Sequence, residues 1–155
     1  MKNIVHVLGN GDQAQIYNKI KRNRNEKLLV CNLPPFAVDD VHASVVVDFK
    51  MMKALTEGSV DLRAYDWILG NRPKIWMQEM EQSFYLRMSK NIKEFYTNVP
   101  KYAANATNFN CGMVATHYAA NRMKAEEVHI YGIDSLFDFN MRSYTDTVLP
   151  SDRTD

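Results

Sequence analysis

Thiols are scarce in this chain: Cys31 and Cys111 are its only two cysteines. Neither belongs to a CxxC pair, and no histidine stands at zinc-ligand spacing from them, so no metal site is expected. A disulfide is not expected either, because a chain of this size can build an adequate core without one. That points to a reducing, cytoplasmic setting. Charge of one sign is also missing. The 19 Lys and Arg stand against 18 Asp and Glu, for a formal net charge of +1. No global positive field draws in a polyanion, so a nucleic-acid partner is not expected. No apolar run approaches the ~20 residues of a membrane span. The amino-terminal stretch passes straight into strand-like sequence, without signal-peptide organisation. P-loop, HExxH and GxSxG patterns are absent.

What is present is ordinary globular composition, 46% hydrophobic and 24% charged, which argues for folding rather than disorder. The 155 residues fit a single domain, with 135–155 as a loop or partial lid. The basic run Lys19, Lys21, Arg22, Arg24 and Lys27 reads as a solvated helix end. Nine methionines make an adaptable core and select no function.

Strand and helix signals alternate. NIVHVL (3–8) is β-rich and ends at Gly9-Asn10-Gly11. Asp12 is a good N-cap for a helix through about Arg22, with Ala14, Tyr17 and Ile20 on one face. KLLVC (27–31) reads as a second strand, closed by Asn32 and Pro34-Pro35. HASVVVDF (42–49) is a third, and its unbroken Val run implies burial on both faces of a parallel sheet. A short helix over 51–57 stops at Gly58. DWIL (66–69) is a fourth strand signal. Phe84, Met88, Ile92 and Phe95 give helical spacing over 83–96. Residues 101–110 read as a loop, 111–123 as a buried helix, and 127–133 (EVHIYGI) as a last strand. Strands alternating with helices predict an α/β, Rossmann-like fold: a mainly parallel sheet with helices on both faces.

Ligands in such sheets collect at the carboxyl ends of the strands. Four constellations sit there. In Gly9-Asn10-Gly11, a tight strand-to-helix turn brings the backbone close to a ligand and frees helix N–H groups. The third glycine of the dinucleotide fingerprint is missing, and Asp12 would repel a phosphate, which argues against NAD. Asn32 ends the second strand with an amide that can bind a base or ribose hydroxyl. Asn110, Cys111 and Gly112 open a helix, where N–H groups suit an anion and a thiol would gain nucleophilicity. Gly132-Ile133-Asp134 delivers a carboxylate to the same edge. Each has a plainer reading as a turn or cap.

Taken together, the segments VLGNGD, LLVCN, NFNCGMVATHYAA and EEVHIYGID resemble, in order and spacing, bacterial sialyltransferases of glycosyltransferase family 42 and related sialyltransferase-like bacterial and phage proteins. The resemblance covers most of residues 4–134. It implies a transferase acting on a nucleotide-activated sugar, a CMP-sugar above all, with the donor as substrate and no cofactor. Carried over, it sets Asn10 near the donor phosphate and Asn32 and Asp48 at the cytidine or its phosphate. Cys111 and Gly112 stand where the family has Ser-Gly. Gly132 would line the nucleotide pocket, and Tyr144 would help bind the phosphate. The family's Thr-Ser pair reads Asn110-Cys111 here, and its third-strand Asn reads Asp48. Its general-base histidine lies well beyond the Gly-Ile-Asp strand end. The four histidines of this chain are His6, His42, His117 and His129, all before Asp134. Asp134 or Asp146 would have to serve as base instead.

Three functions follow as expectations. One is a sialyltransferase-like enzyme. Another is a non-catalytic nucleotide-binding module. The third is a phage-type structural or interaction protein reusing the fold, with an exposed patch drawn from Trp67, Trp76, Phe137 and Phe139. The expected partner is a nucleotide or nucleotide-sugar, in the host cytoplasm if phage-encoded, and a homo-oligomer is compatible with all three.

Overall fold

In the computed structural model, residues 2–47, 49–70, 89–96 and 111–133 are described. Six strands form one sheet: β1 (Ile4–Leu8), β2 (Lys27–Cys31), β3 (Ala43–Val46), β4 (Trp67–Gly70), β5 (Ile92–Tyr96) and β6 (Glu127–Tyr131). Every pairing is parallel, in the order β5-β4-β3-β2-β1-β6. The chain therefore steps outward from β1 to β5 and then returns to set β6 on the other side of β1. This reversal beside β1 is the topological switch point of the sheet.

Alternation along the strands divides the core. Val5 and Val7 of β1, Leu29 of β2, Val45 of β3 and Ile68 of β4 share a cluster with Val114, Ala115, Tyr118 and Ala119 of α2 (Cys111–Asn121). The opposite face is covered in two parts. Leu8, Leu28 and Val30 meet Ala14 of a 3-10 helix over Asp12–Lys19. Val46, Trp67 and Leu69 meet Met51, Met52 and Leu55 of α1 (Phe49–Glu57). Side chains buried on both faces are what the aliphatic strand segments demanded, and the expected α/β, Rossmann-like sheet is what forms.

Trp67 is fully buried, and its Nε1–H donates to the Leu62 carbonyl at 2.8 Å. It belongs to the core and contributes nothing to an exposed aromatic patch; Trp76, Phe137 and Phe139 lie outside the described residues. Gly58 ends α1 at φ +83°, and the Ser59 N–H reaches back to the Ala54 carbonyl at 2.9 Å, a Schellman closure.

Two local expectations are corrected. The helix after Gly11 is a 3-10 helix and ends at Lys19, short of the expected end near Arg22. Gly11 occupies its cap position, with no side-chain cap bond, so Asp12 is not the N-cap. Residues 92–96 form strand β5, preceded by a 3-10 turn over Ser89–Asn91, where helical spacing had suggested a helix. Pairing with β4 wins over local periodicity there: Ile92 packs beside Trp67, and Tyr96 is fully buried near α2. The remainder of the expected 83–96 helix lies outside the described residues.

Candidate functional site

The loop after β1 is stitched to the end of β6. The Gly9 N–H donates to the Tyr131 carbonyl at 2.7 Å, and the Gly11 N–H to the Gly132 carbonyl at 2.8 Å. Asn10, between them, turns toward β2 and donates from Nδ2 to the Cys31 carbonyl at 2.7 Å. Its Oδ1 is buried and accepts no hydrogen bond among the described residues. Asn32, next along from Cys31, is only 4% exposed and adopts the left-handed region at φ +55°, a conformation asparagine tolerates better than most residues. Its N–H donates to the Val45 carbonyl at 3.0 Å, and its own carbonyl accepts the Ser44 hydroxyl at 2.7 Å. Turn and strand ends are thereby locked together at the carboxyl edge of β1, β2 and β3.

The first turn of α2 closes on this edge from one face. Cys111 Sγ donates to the Val45 carbonyl at 2.7 Å. Ile133 lies between the turn and the helix: a side chain at Gly9 would overlap Ile133 Cδ1, and one at Gly112 would come within 2.5 Å of Ile133 Cγ2. Gly132, at φ +70°, faces Ala14 of the 3-10 helix, where an added Cβ would sit 2.7 Å away. These three glycines serve close packing of backbone against backbone and against Ile133. The space where their side chains would be is occupied by protein.

Seven expected site residues therefore gather at one edge: Gly9, Asn10, Gly11, Asn32, Cys111, Gly112 and Gly132. Asp48, Asn110, Asp134, Tyr144 and Asp146 lie outside the described residues. The nucleophilic role considered for Cys111 is not supported by its setting. The residue is 9% exposed, and its thiol is turned inward onto a strand carbonyl, whereas reactive thiols are accessible and held as thiolates. Ile133, missed in the sequence, is the wedge that fixes the spacing between the β1 turn and α2. Its signal was an aliphatic residue directly after a glycine at a strand end.

A second constellation went unseen in the sequence. His6 is buried in the middle of β1. Its Nε2 lies 2.6 Å from Glu26 Oε1 and its Nδ1 2.9 Å from the Tyr131 hydroxyl. A carboxylate only accepts, so in its neutral form the imidazole carries its proton on Nε2 and accepts the phenol O–H at Nδ1. The hydrogen bond from His6 holds the Glu26 carboxyl below its ordinary range. Burial pushes the Tyr131 phenol up, which keeps it a donor. Arg22 completes the net, donating to the Tyr17 hydroxyl at 2.9 Å and the Glu26 carbonyl at 2.6 Å. Carboxylate, imidazole and phenol stand as in a proton relay, but the His6 and Glu26 side chains are only 4% and 12% exposed. The net satisfies polar groups under the 3-10 helix and is structural. A histidine between Val5 and Val7 was its signal, since a buried imidazole requires partners.

The remaining histidines are engaged elsewhere. His117 Nδ1 lies 2.6 Å from the Tyr96 hydroxyl, and burial pushes the Tyr96 phenol up, which keeps it protonated. His129 contacts Glu127 at 3.1 Å. His42 precedes β3, at the opposite edge of the sheet. Among the described residues no group of three or more His, Cys, Asp or Glu is arranged to hold a metal ion. No helix among them is long and apolar enough to cross a membrane.

Sheet and site together define an α/β domain with a six-stranded parallel sheet, whose switch-point turn is packed against the strand that follows α2. No protein-family model, no curated protein and no solved structure matches the chain.

Proposed function

We propose that the carboxyl edge of the sheet binds the nucleotide part of a nucleotide-activated sugar, with a CMP-sugar as the first candidate, in the manner of sialyltransferase-like proteins. The observation that carries this reading is the convergence of Asn10 and Asn32, from two separate turns, beside the first turn of α2 at the switch point. Open parallel sheets bind nucleotides at that place. Among the described residues, the site offers neutral amides and backbone groups. One N–H of Asn10 Nδ2 goes to the Cys31 carbonyl, and the buried Oδ1 remains as an acceptor. An acceptor oxygen pairs with a ribose hydroxyl or a base amino group rather than with a phosphate oxygen, so Oδ1 suits the nucleoside, while the second N–H of Nδ2 suits the donor phosphate that the family resemblance sets beside Asn10. Phosphate recognition also falls to the α2 start with Asn110 and to Tyr144, while Asn32 and Asp48 complete the nucleoside contacts.

Sugar transfer needs a base within hydrogen-bond reach of the acceptor hydroxyl. Asp134 and Asp146, which follow β6, are the candidates. A second reading, a nucleotide binder without transferase activity, is favoured by one specific observation. His6 and His117 are committed to partners within the core, His129 contacts Glu127, and His42 lies at the far edge.

Thermal melting with CMP, CDP, UMP, UDP, GDP, ADP and NAD tests binding. At a hundred times Kd a native-state ligand adds about 2.7 kcal/mol, roughly 5 to 10 °C for a chain of this length. The expected result is a rise with CMP that Asn32→Ala removes. No rise with any nucleotide overturns both readings and leaves an interaction protein that keeps only the fold. Where CMP binds, hydrolysis or transfer from a CMP-sugar, lost in Asp134→Asn or Asp146→Asn, separates enzyme from binder.

A further inference from the structure

The opposite edge of the sheet, where the strands begin, holds a cavity of about 290 Å³. Its walls come from segments far apart in sequence: Arg24 and Lys27 at the start of β2, His42 before β3, Asp66 before β4 and Lys93 in β5. The basic run around Lys27 looked in the sequence like a solvated helix end. Folding instead brings Lys93, from the far side of the sheet, to the same cavity.

We propose that this amino edge is a second binding site, for a compact phosphorylated small molecule, built from Arg24, Lys27, Lys93 and His42. Four permanent cations (Arg22 included) line the cavity against two carboxylates, Asp40 and Asp66. That is a local excess of +2 in a chain whose whole net charge is +1. The cations are not equivalent. Arg22 is committed, with bonds to the Tyr17 hydroxyl and to the carbonyls of Glu26 and Asp39, and Asp40 stands 3.7 Å away. Arg24, Lys27 and Lys93 are exposed, and among the described residues no carboxylate lies within ion-pair distance of them. Converging like charges without counterions raise the energy of the empty site, and an anion relieves it. Lysine ammonium groups act as point charges for phosphate, and the Arg24 fork adds a bidentate donor.

The half-buried His42 reports the same field. Desolvation lowers its pKa first, then the charges of Lys93 and Lys27, with Asp66 and Asp40 opposing. The His42 N–H donates to the Leu28 carbonyl at 2.8 Å, which fixes the residue at the cavity wall. A bound phosphate would reverse the balance and favour the imidazolium, adding a donor to the ligand. The cavity volume suits a phosphate or diphosphate group rather than a polymer.

The test is a titration of the full chain with inorganic pyrophosphate at low ionic strength. NMR would follow the His42 imidazole and the backbone amides of Arg24, Lys27 and Lys93. The expected result is a saturable shift at these groups and a rise in the His42 pKa. Kd should weaken at least tenfold in the Lys27→Ala/Lys93→Ala double variant and tighten in Asp66→Asn. Both lysine side chains are exposed, so their removal leaves the core intact. Linear, non-saturating shifts that sodium chloride reproduces at equal ionic strength would overturn the site, as would an unchanged Kd in the double variant. The proposed nucleotide site lies at the other edge. Asn32→Ala should leave the pyrophosphate response at His42 intact, so the two proposals fail separately.

Discussion

Asn10 and Cys31 are joined across the ends of two parallel strands, the amide of one donating to the carbonyl of the other at 2.7 Å. β1 and β2 pair through Leu8 and Val30, so this side-chain bond continues the ladder where the backbones separate. Asn10→Ala frees a carbonyl in a half-buried setting, at a cost of about 1 to 2 kcal/mol. Urea denaturation should show a lower midpoint at unchanged slope. A variant as stable as the parent would mean that water replaces the amide without loss.

Gly132 and Gly58 are both in the left-handed region, at φ +70° and +83°, but only one is crowded. Nothing lies within 4 Å of a Cβ at Gly58, whereas at Gly132 the backbone of Ala14 stands 2.7 Å away. Gly58→Ala should therefore lose only the conformational term, about 1 kcal/mol. Gly132→Ala must also push the 3-10 helix off the strand end, and its loss should exceed about 3 kcal/mol. Equal effects in thermal melts would show that the 3-10 helix yields without cost.

Glu26 gives the fold an acid-sensitive component. Its folded-state pKa is lowered, chiefly by the bond from His6. The stabilisation is complete above the unfolded carboxyl value of about 4.3 and is lost as pH falls through the lower folded value. Glu26→Gln should lose about 2 kcal/mol at neutral pH. It should also flatten the stability profile below about pH 4.3. An unchanged acid limb in pH-dependent urea melts would assign acid sensitivity to other carboxyls.

The two thiols should be inert in the native state. Cys31 and Cys111 are buried and free of disulfide, and Cys111 is turned onto the Val45 carbonyl. Ellman's reagent should react only as fast as the chain opens, with both thiols released together in denaturant. Rapid native reaction at Cys111 would restore it as a candidate nucleophile.

Most of the parallel sheet could be read from aliphatic runs such as Val45-Val46-Val47, because burial on both faces leaves an unbroken apolar signature. Strand β5 could not. Ile-Lys-Glu-Phe-Tyr carries charge at two of its five positions, and its apolar residues also fit a helix repeat. Only pairing with β4 decides between the two, and pairing is non-local. Much the same holds for the sites. The turn residues Asn10 and Asn32 were visible because each breaks the chain at a strand end. That Asn10 gives a side-chain N–H to Cys31 was not visible, nor was Glu26 as the partner of His6. Lys93 joins Lys27 only through the order of strands in the sheet.

That order also governs how the chain acquires its shape. β1 is flanked by β2 and β6, and the His6–Tyr131 contact spans 125 positions of sequence. During synthesis, β1 through β5 can assemble in sequence, each strand docking beside its predecessor. One side of β1 must meanwhile wait, its amides and carbonyls unpaired, until β6 leaves the ribosome. Such late, long-range closure slows folding and prolongs the life of an open strand edge to which other chains can add. The GNG turn and the His6 net, both anchored on β6, would be the last parts to order, so a stalled or shortened chain would aggregate through β1 before either could form.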